Sequence, residues 1–348
     1  MNKILGHPRI AILGDVYHAD DLATQTRPAM AFAPEGGHGK LFNSLLKAAG
    51  IDRSQCLVTN VFNVRPQGGE IDNILVNKKD SLPGWPKIKA GKYLPRALIP
   101  EMKRLYAELE AFQPELIIPL GSTALWAVTG STGLSNRHGF LHTYKGVPCV
   151  PTWHPQTIMR KYINFMPSVN DMARAVAYVK GEILEEKFDF IEDATVEDLL
   201  HFAATVEPHE VISYDIETKP KYRSITCIGV GTSKTALVCN FWNPRKSGQS
   251  HWPDLETELK AWDAIQTILR LPNPKIGQNI LYDMTWNMAI MGLDTMGSVI
   301  DTRLAHFALY PELPHNLSEI VGASLMLFPW KAVHSHGFEN DAESGGGE

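Results

Sequence analysis

Cysteine is scarce in this chain. Its 348 residues include four, Cys56, Cys149, Cys227 and Cys239, widely separated and without a CxxC pair. That excludes a disulfide scaffold and a four-cysteine metal or cluster site, and it fits a reducing, cytoplasmic compartment. Long apolar runs are also missing. None approaches the ~20 residues of a membrane span, so no membrane partner is expected. The first eight residues are too short and too broken for a secretory signal. Neither GxGxxG nor GxxxxGK[ST] occurs, which removes the two commonest nucleotide-phosphate cradles.

What is present is ordinary for a folded protein. The hydrophobic fraction is 44% and the charged fraction 20%, which excludes a disordered or fibrous chain. The length implies two domains. A net charge of −5 conceals a split. Residues 1–186 carry 21 Lys and Arg against 16 Asp and Glu, a net of +5, whereas residues 187–348 carry 12 against 22, a net of −10. The first half suits a polyanion. The second suits divalent cations held by carboxylates.

Strand-like and helix-like patterns alternate along residues 1–186. Short apolar runs at 9–14, 56–61, 116–121 and 147–152 read as strands. Helical spacing appears at 39–50, 100–112, from 122 and at 170–186, with a long Gly, Pro and Asn-rich loop over 65–95. This is an α/β domain built on a parallel sheet. Residues 185–187 read as the linker. A second α/β unit follows over 187–348, with strands at 211–215, 224–231, 236–241 and 275–279 and helices at 195–206, 255–269 and from about 282. The tail from 343 reads as flexible.

Two constellations carry chemistry. In the second half, Asp215-Ile216-Glu217-Thr218 closes a strand, and alternation places Asp215 and Glu217 on one side, about 6.5–7 Å apart. That spacing suits two oxygen ligands shared between hard cations. Gly277-Gln278-Asn279-Ile280-Leu281-Tyr282-Asp283 then leads from a strand into a helix, followed by Asp301-Thr302-Arg303-Leu304-Ala305 and Pro314-His315-Asn316-Leu317-Ser318-Glu319-Ile320. This ordered series resembles the 3′–5′ exonuclease domain of A-family DNA polymerases, within the DnaQ-like superfamily. The resemblance implies a mixed-sheet, ribonuclease H-like fold. It also implies a centre using Mg²⁺ or Mn²⁺, with Asp215, Glu217, Asp283 and Asp341 as catalytic metal ligands. Asp341 follows His336 by five residues, as in the His form of the third motif, while Gly337 stands where the Tyr form has its tyrosine.

In the first half, Gly14-Asp15-Val16-Tyr17-His18 ends the first strand, Thr59-Asn60 the second, and Thr152-Trp153-His154-Pro155 the fourth. An acid at the C-terminal edge of an α/β sheet faces the ligand crevice. In order over about residues 9–180, these elements resemble the uracil-DNA glycosylase superfamily, which implies a parallel-sheet α/β/α fold. Val16 replaces the family's proline. The stretch 41–66, including TNVFNVRP, most resembles the thermophile-type branch, but that branch carries four cluster cysteines and this half holds only Cys56 and Cys149, so no iron–sulfur cluster is expected. The resemblance implies Asp15 and His154 as catalytic groups. It implies Tyr17, Phe32 and Asn60 as base-binding residues, and Arg160 and Lys161 as DNA contacts. Uracil or a related modified base is the expected substrate.

The combination resembles a bacteriophage replication or repair fusion acting in the host cytoplasm beside a separate DNA polymerase. One alternative stays open: a DNA-binding or polymerase-recruiting module with one or both sites silent.

Overall fold

A computed structural model describes residues 7–24, 28–81, 84–183, 189–243 and 249–325. The chain divides into two compact units, Met1–Leu184 with Ser318–Glu348, and Glu185–Leu317. Residues 318–325, which the sequence reading assigns to 187–348, therefore cluster with the first unit. The 185–187 linker, Asp341 and the tail from 343 lie outside the described residues.

The first unit runs β1 (Ile10–Val16), α1 (Gly37–Ala48), β2 (Leu57–Phe62), α2 (Ile99–Phe112), β3 (Leu116–Pro119), α3 (Ser122–Thr129), β4 (His142–Tyr144), β5 (Val147–Cys149), α4 (Pro155–Arg160) and α5 (Phe165–Val179). Its sheet has the order β2-β1-β3-β5-β4. All neighbours pair in parallel except β4, which is antiparallel to β5. Both faces are covered, so β1 needs no polar alternation. Ile10 and Ile12 enter one core with Phe42, Leu45 and Met172. Ala11 and Leu13 enter the other with Met102, Leu105 and Trp126. β4 is an addition to the expected parallel sheet. It comes from a two-residue hairpin whose turn, Lys145-Gly146, has φ of 48° and 84°, the left-handed pair that matches strand twist.

The second unit comprises β6 (Asp189–Ile191), α6 (Val196–Thr205), β7 (Ile212–Lys219), β8 (Ser224–Gly231), β9 (Thr235–Asn240), α7 (Leu255–Arg270), β10 (Lys275–Gly277), α8 (Ile280–Trp286), β11 (Val299–Asp301) and α9 (Thr302–Leu309). A last helix, α10 (Leu317–Ser324), begins where this unit ends. The sheet order is β11-β10-β7-β8-β9-β6. β7, β8 and β9 form an antiparallel meander, and β10 and β11 join parallel on the other side of β7. This is a ribonuclease H-like mixed sheet. α6 and α7 are started by side-chain caps from Thr195 and Asp254, and both bury apolar residues in the core beneath the sheet. Lys275 is fully buried, its Nζ donating to the carbonyls of Leu271, Asn273 and Met296 at 2.7, 2.9 and 3.0 Å. It fixes the turn that delivers β10 beside β7.

β7 extends four residues beyond the expected 211–215, because pairing with β8 continues to Lys219. Asp215 and Glu217 therefore lie within the strand rather than at its end. Alternation turns Ile212, Tyr214 and Ile216 into the core and leaves Asp215 and Glu217 exposed, until a bulge after Glu217 breaks the register. Among the described residues, no helix is long and apolar enough to cross a membrane.

Candidate active sites

In the first unit, three strand ends converge. Gly14 on β1 is in register with Asn60 on β2. Any side chain at position 14 would strike the Asn60 Oδ1 and the Phe32 ring, which explains glycine there. Phe32 holds a left-handed φ of 53°, a strained conformation for a bulky residue. Its ring stacks on Phe42 with centroids 4.5 Å apart and lies 5.4 Å from the His154 ring. Asp21 anchors the loop between, accepting from the His18 and Ala33 amides at 2.9 Å each. Asn60 is 1% exposed, and its Nδ2 has no hydrogen-bond partner among the described residues. A buried amide in that state costs stability unless a ligand completes it.

Arg104 fixes the Asn60 backbone. Its guanidinium donates to the Asn60 and Val61 carbonyls at 2.7 and 3.1 Å. Sequence reasoning missed this residue, because Glu101, Arg104 and Glu108 read as an ordinary charge ladder on a helix surface.

His154 caps α4. Its Nδ1 accepts from the Gln156 amide at 3.1 Å. A backbone N–H can only donate, so the neutral ring carries its proton on Nε2. Nε2 lies 3.3 Å from Asp15 Oδ1, close enough for charge attraction but without hydrogen-bond geometry. His18 Nε2 approaches the same oxygen at 3.8 Å. Burial alone would raise the Asp15 carboxyl. The neighbouring His154, then the Val16 amide and His18, outweigh it and bring the pKa down to about 2. Asp15 is thus a fixed anion. Burial pushes His18 below its ordinary value against the pull of Asp15, and it lowers His38, which stacks on His18 at 4.4 Å. The ligand atoms of Asp15, His18 and His154 all lie within 4.8 Å of one another, a spacing that suits a metal ion. The His154 tautomer opposes that use, since its inward nitrogen offers a proton rather than a lone pair.

Behind His154, a buried ion cluster supports the final strand. Asp171 on α5 accepts from Thr152 Oγ1 at 2.8 Å and Arg174 at 2.7 Å, and lies 3.1 Å from His138 Nδ1. Glu319 lies 3.3 Å from His138 Nε2. Burial would lower His138, but Asp171 and Glu319 dominate and raise it to about 10. The raised pKa gives a pH prediction. Below 6.5, the unfolded value, the full contribution to stability is present, and it is lost as pH rises through about 10. The resistance of the wild type to denaturant is expected to fall over that interval. In His138→Asn the corresponding slope disappears, and an unchanged slope would contradict the assignment.

In the second unit, Asp283 joins the two β7 carboxylates. Asn279 takes a left-handed φ of 59° and starts α8, which swings Asp283 back over the sheet. Its buried carboxylate accepts from the Ile216 amide at 3.0 Å, between Asp215 and Glu217. Burial raises its pKa to about 6, Asp215 and Glu217 add to the rise, and the Ile216 amide opposes it. The loop is locked from the other side. Gln278 donates to the His315 carbonyl at 2.7 Å, Thr302 donates to the Gly277 carbonyl at 3.2 Å, and Asp301 accepts from the Asn279 amide at 3.1 Å. The motif segments picked out in the sequence are therefore one hydrogen-bonded assembly. The donor set, all carboxylate oxygen, fits Mg²⁺ or Mn²⁺. The raised Asp283 reflects its burial first and the charges of Asp215 and Glu217 second, and a divalent cation would favour its ionised form.

Residues 8–180 match the family described as Uracil DNA glycosylase superfamily. The first unit is a domain of that superfamily. Over 94 residues the chain is 27% identical to a DNA polymerase of Bacillus phage SP01, a stretch covering 26% of this chain and 10% of that protein. The chain thus spans about a tenth of that relative's length. Similar solved structures include the catalytic core of RRP6 from Trypanosoma brucei, at 17% identity and TM-score 0.32, covering 43% of this chain and 38% of that one. RNase D of Escherichia coli has 16% identity and TM-score 0.30 over 42% and 36%. The EXO domain of Aedes aegypti Nibbler has 14% identity and TM-score 0.33 over 46% and 79%. The ribonuclease H-like character of the second unit rests on its own strand order.

The glycosylase-superfamily domain brings Asp15, Phe32, Asn60 and His154 together. Tyr17 is half-buried against the core that holds Phe32, and burial raises its phenol. Arg160 ends α4 in an exposed pair with Glu70 at 3.1 Å, and Lys161 beside it is exposed. Asp171 and Arg174 are the site supports that sequence reasoning missed. Their signal was present: both fall on the buried stripe of α5 with Met172 and Ala175, where a paired acid and base are out of place unless they face each other.

Proposed function

We propose that the glycosylase-superfamily domain removes uracil, or a related modified base, from DNA. The observation that carries this reading is the fixed anion of Asp15 set 3.3 Å from the proton-bearing Nε2 of His154. Breaking an N-glycosidic bond leaves positive charge on the sugar and negative charge on the base. Asp15 stabilises the first and orients the attacking water. His154 donates to the base oxygen where charge develops, a preorganised role that needs no movement. Asn60 reads the base edge with the amide that lacks a partner. Phe32 stacks on the extruded base, Tyr17 excludes a thymine methyl, and Arg160 and Lys161 meet phosphates.

The second unit, in the same reading, trims DNA from its 3′ end. Asp215, Glu217 and Asp283 would hold Mg²⁺ or Mn²⁺, with Asp341 as the remaining acid from the sequence. Two ions bound there would supply an activated water and stabilise the leaving oxygen. β7 presents its two acids on one face, and the Ile216 amide orients the third. A separate DNA polymerase, in the cytoplasm, is the proposed partner. The test of base removal is DNA with one uracil, incubated in EDTA and treated with hot alkali. Scission at the uracil is expected, and an intact strand would overturn base removal.

A further inference from the structure

The turn joining β7 to β8 is unlike the rest of its unit. Residues 185–317 carry 11 Lys and Arg against 19 Asp and Glu, a net charge of −8, yet Lys219, Lys221 and Arg223 place three cations within five residues. The turn is built tightly. Pro220 opens a single 3-10 turn, and Arg223 closes it at φ 50° and ψ 45°, a strained left-handed conformation for a side-chain-bearing residue. Two aromatic rings lie with the cations. Lys219 Nζ sits 4.7 Å from the Trp242 ring centroid, and Lys221 Nζ sits 5.7 Å from that of Tyr222. The two rings are 5.5 Å apart and inclined at 43°, so neither covers the face of the other. Tyr222 is 56% exposed.

This cluster is tied to the carboxylates. Thr226 Oγ1 donates to the Glu217 carbonyl at 3.0 Å, and the Trp242 amide donates to the Thr226 carbonyl at 3.1 Å. Lys219 is two strand residues beyond Glu217, about 6.6 Å, or roughly two nucleotides at the ~3.4 Å rise of a stacked strand. Every base has a face to stack on an aromatic ring, and every nucleotide has a phosphate for a cation. A cation beside an aromatic ring serves both at once.

We propose that Lys219, Lys221, Tyr222, Arg223 and Trp242 form a stacking platform for single-stranded DNA, a few nucleotides upstream of the end held at Asp215 and Glu217. The inference rests on reading those acids as the cleavage centre. The platform holds bases without reading their sequence. It gives an acidic unit a local cationic path for a polyanion.

The test uses the full chain in EDTA, so that no strand is cut. A single-stranded oligonucleotide free of uracil carries 5-iododeoxycytidine three nucleotides from its 3′ end. After ultraviolet irradiation, crosslinked peptides are located by mass spectrometry. Tyr222 or Trp242 is the expected attachment site. The triple change Lys219→Gln, Lys221→Gln, Arg223→Gln is expected to lower that crosslink at least about fivefold, with the thermal midpoint unchanged. Asp215→Ala is expected to retain it. Crosslinks confined to other residues, or a yield unaffected by the triple change, would overturn the proposal. Crosslinks at Tyr222 or Trp242 without Mg²⁺-dependent trimming would uphold the platform and reject the cleavage reading instead.

Discussion

Replacing His154 with alanine is expected to slow abasic-site formation at uracil by about 10²–10³-fold, the usual loss when one preorganised donor to a developing anion is removed. The reason lies in the tautomer. The Gln156 amide occupies Nδ1, which leaves Nε2 to donate where negative charge appears. His154 also caps α4, so the variant should lose about 1 kcal/mol of stability, and rates are compared at a temperature where both proteins are folded. The conservative His154→Asn keeps an acceptor for the cap and should recover the stability without the rate. Wild-type rates in the alanine variant would remove His154 from the chemistry. Asp15→Asn tests the partner. It keeps the shape and removes the anion, and the rate is again expected to fall while binding of the uracil-containing strand persists.

Asp215→Ala is expected to reduce Mg²⁺-dependent 3′ trimming by at least about 10³-fold, roughly 4 kcal/mol of transition-state stabilisation. Folding should be little affected, because Asp215 is on the solvent face of β7 while Ile212, Tyr214 and Ile216 on the other face make the core. Burial and the charges of Asp215 and Glu217 together raise Asp283. Removing Asp215 should therefore lower the Asp283 pKa, measurable by carboxyl NMR titration in the absence of divalent cations. Base removal in EDTA should continue at the wild-type rate, since its groups belong to the other unit. Trimming that survives in Asp215→Ala would reject the cleavage centre.

Much of this arrangement was legible in the sequence for a plain physical reason. Parallel strands buried on both faces must be continuous apolar runs, and 10–13 and 116–118 are such runs. The passage from strand to helix was marked by Gly277-Gln278-Asn279, and the left-handed Asn279 found there delivers Asp283 to the β7 acids. What escaped had no periodic signal. β6 and β11 are three residues each, too short for alternation to register. Arg104 acts through partners 43 to 45 residues away, and such pairings exist only once the chain is folded. The extent of β7 was misjudged because its far half is polar, and the pairing with β8, not its own composition, keeps it extended.

The central claim is that one chain holds two chemistries and that only one depends on a divalent cation. The most direct measurement follows a single-stranded DNA labelled at its 5′ end and carrying one central uracil. It is incubated with the full chain in Mg²⁺ or in EDTA, and each reaction is resolved with and without hot alkali. The account predicts a ladder of shortened strands in Mg²⁺ alone, and in EDTA a single band at the uracil that appears only after alkali. A ladder that persists in EDTA, or a strand that stays intact in every lane, would contradict it.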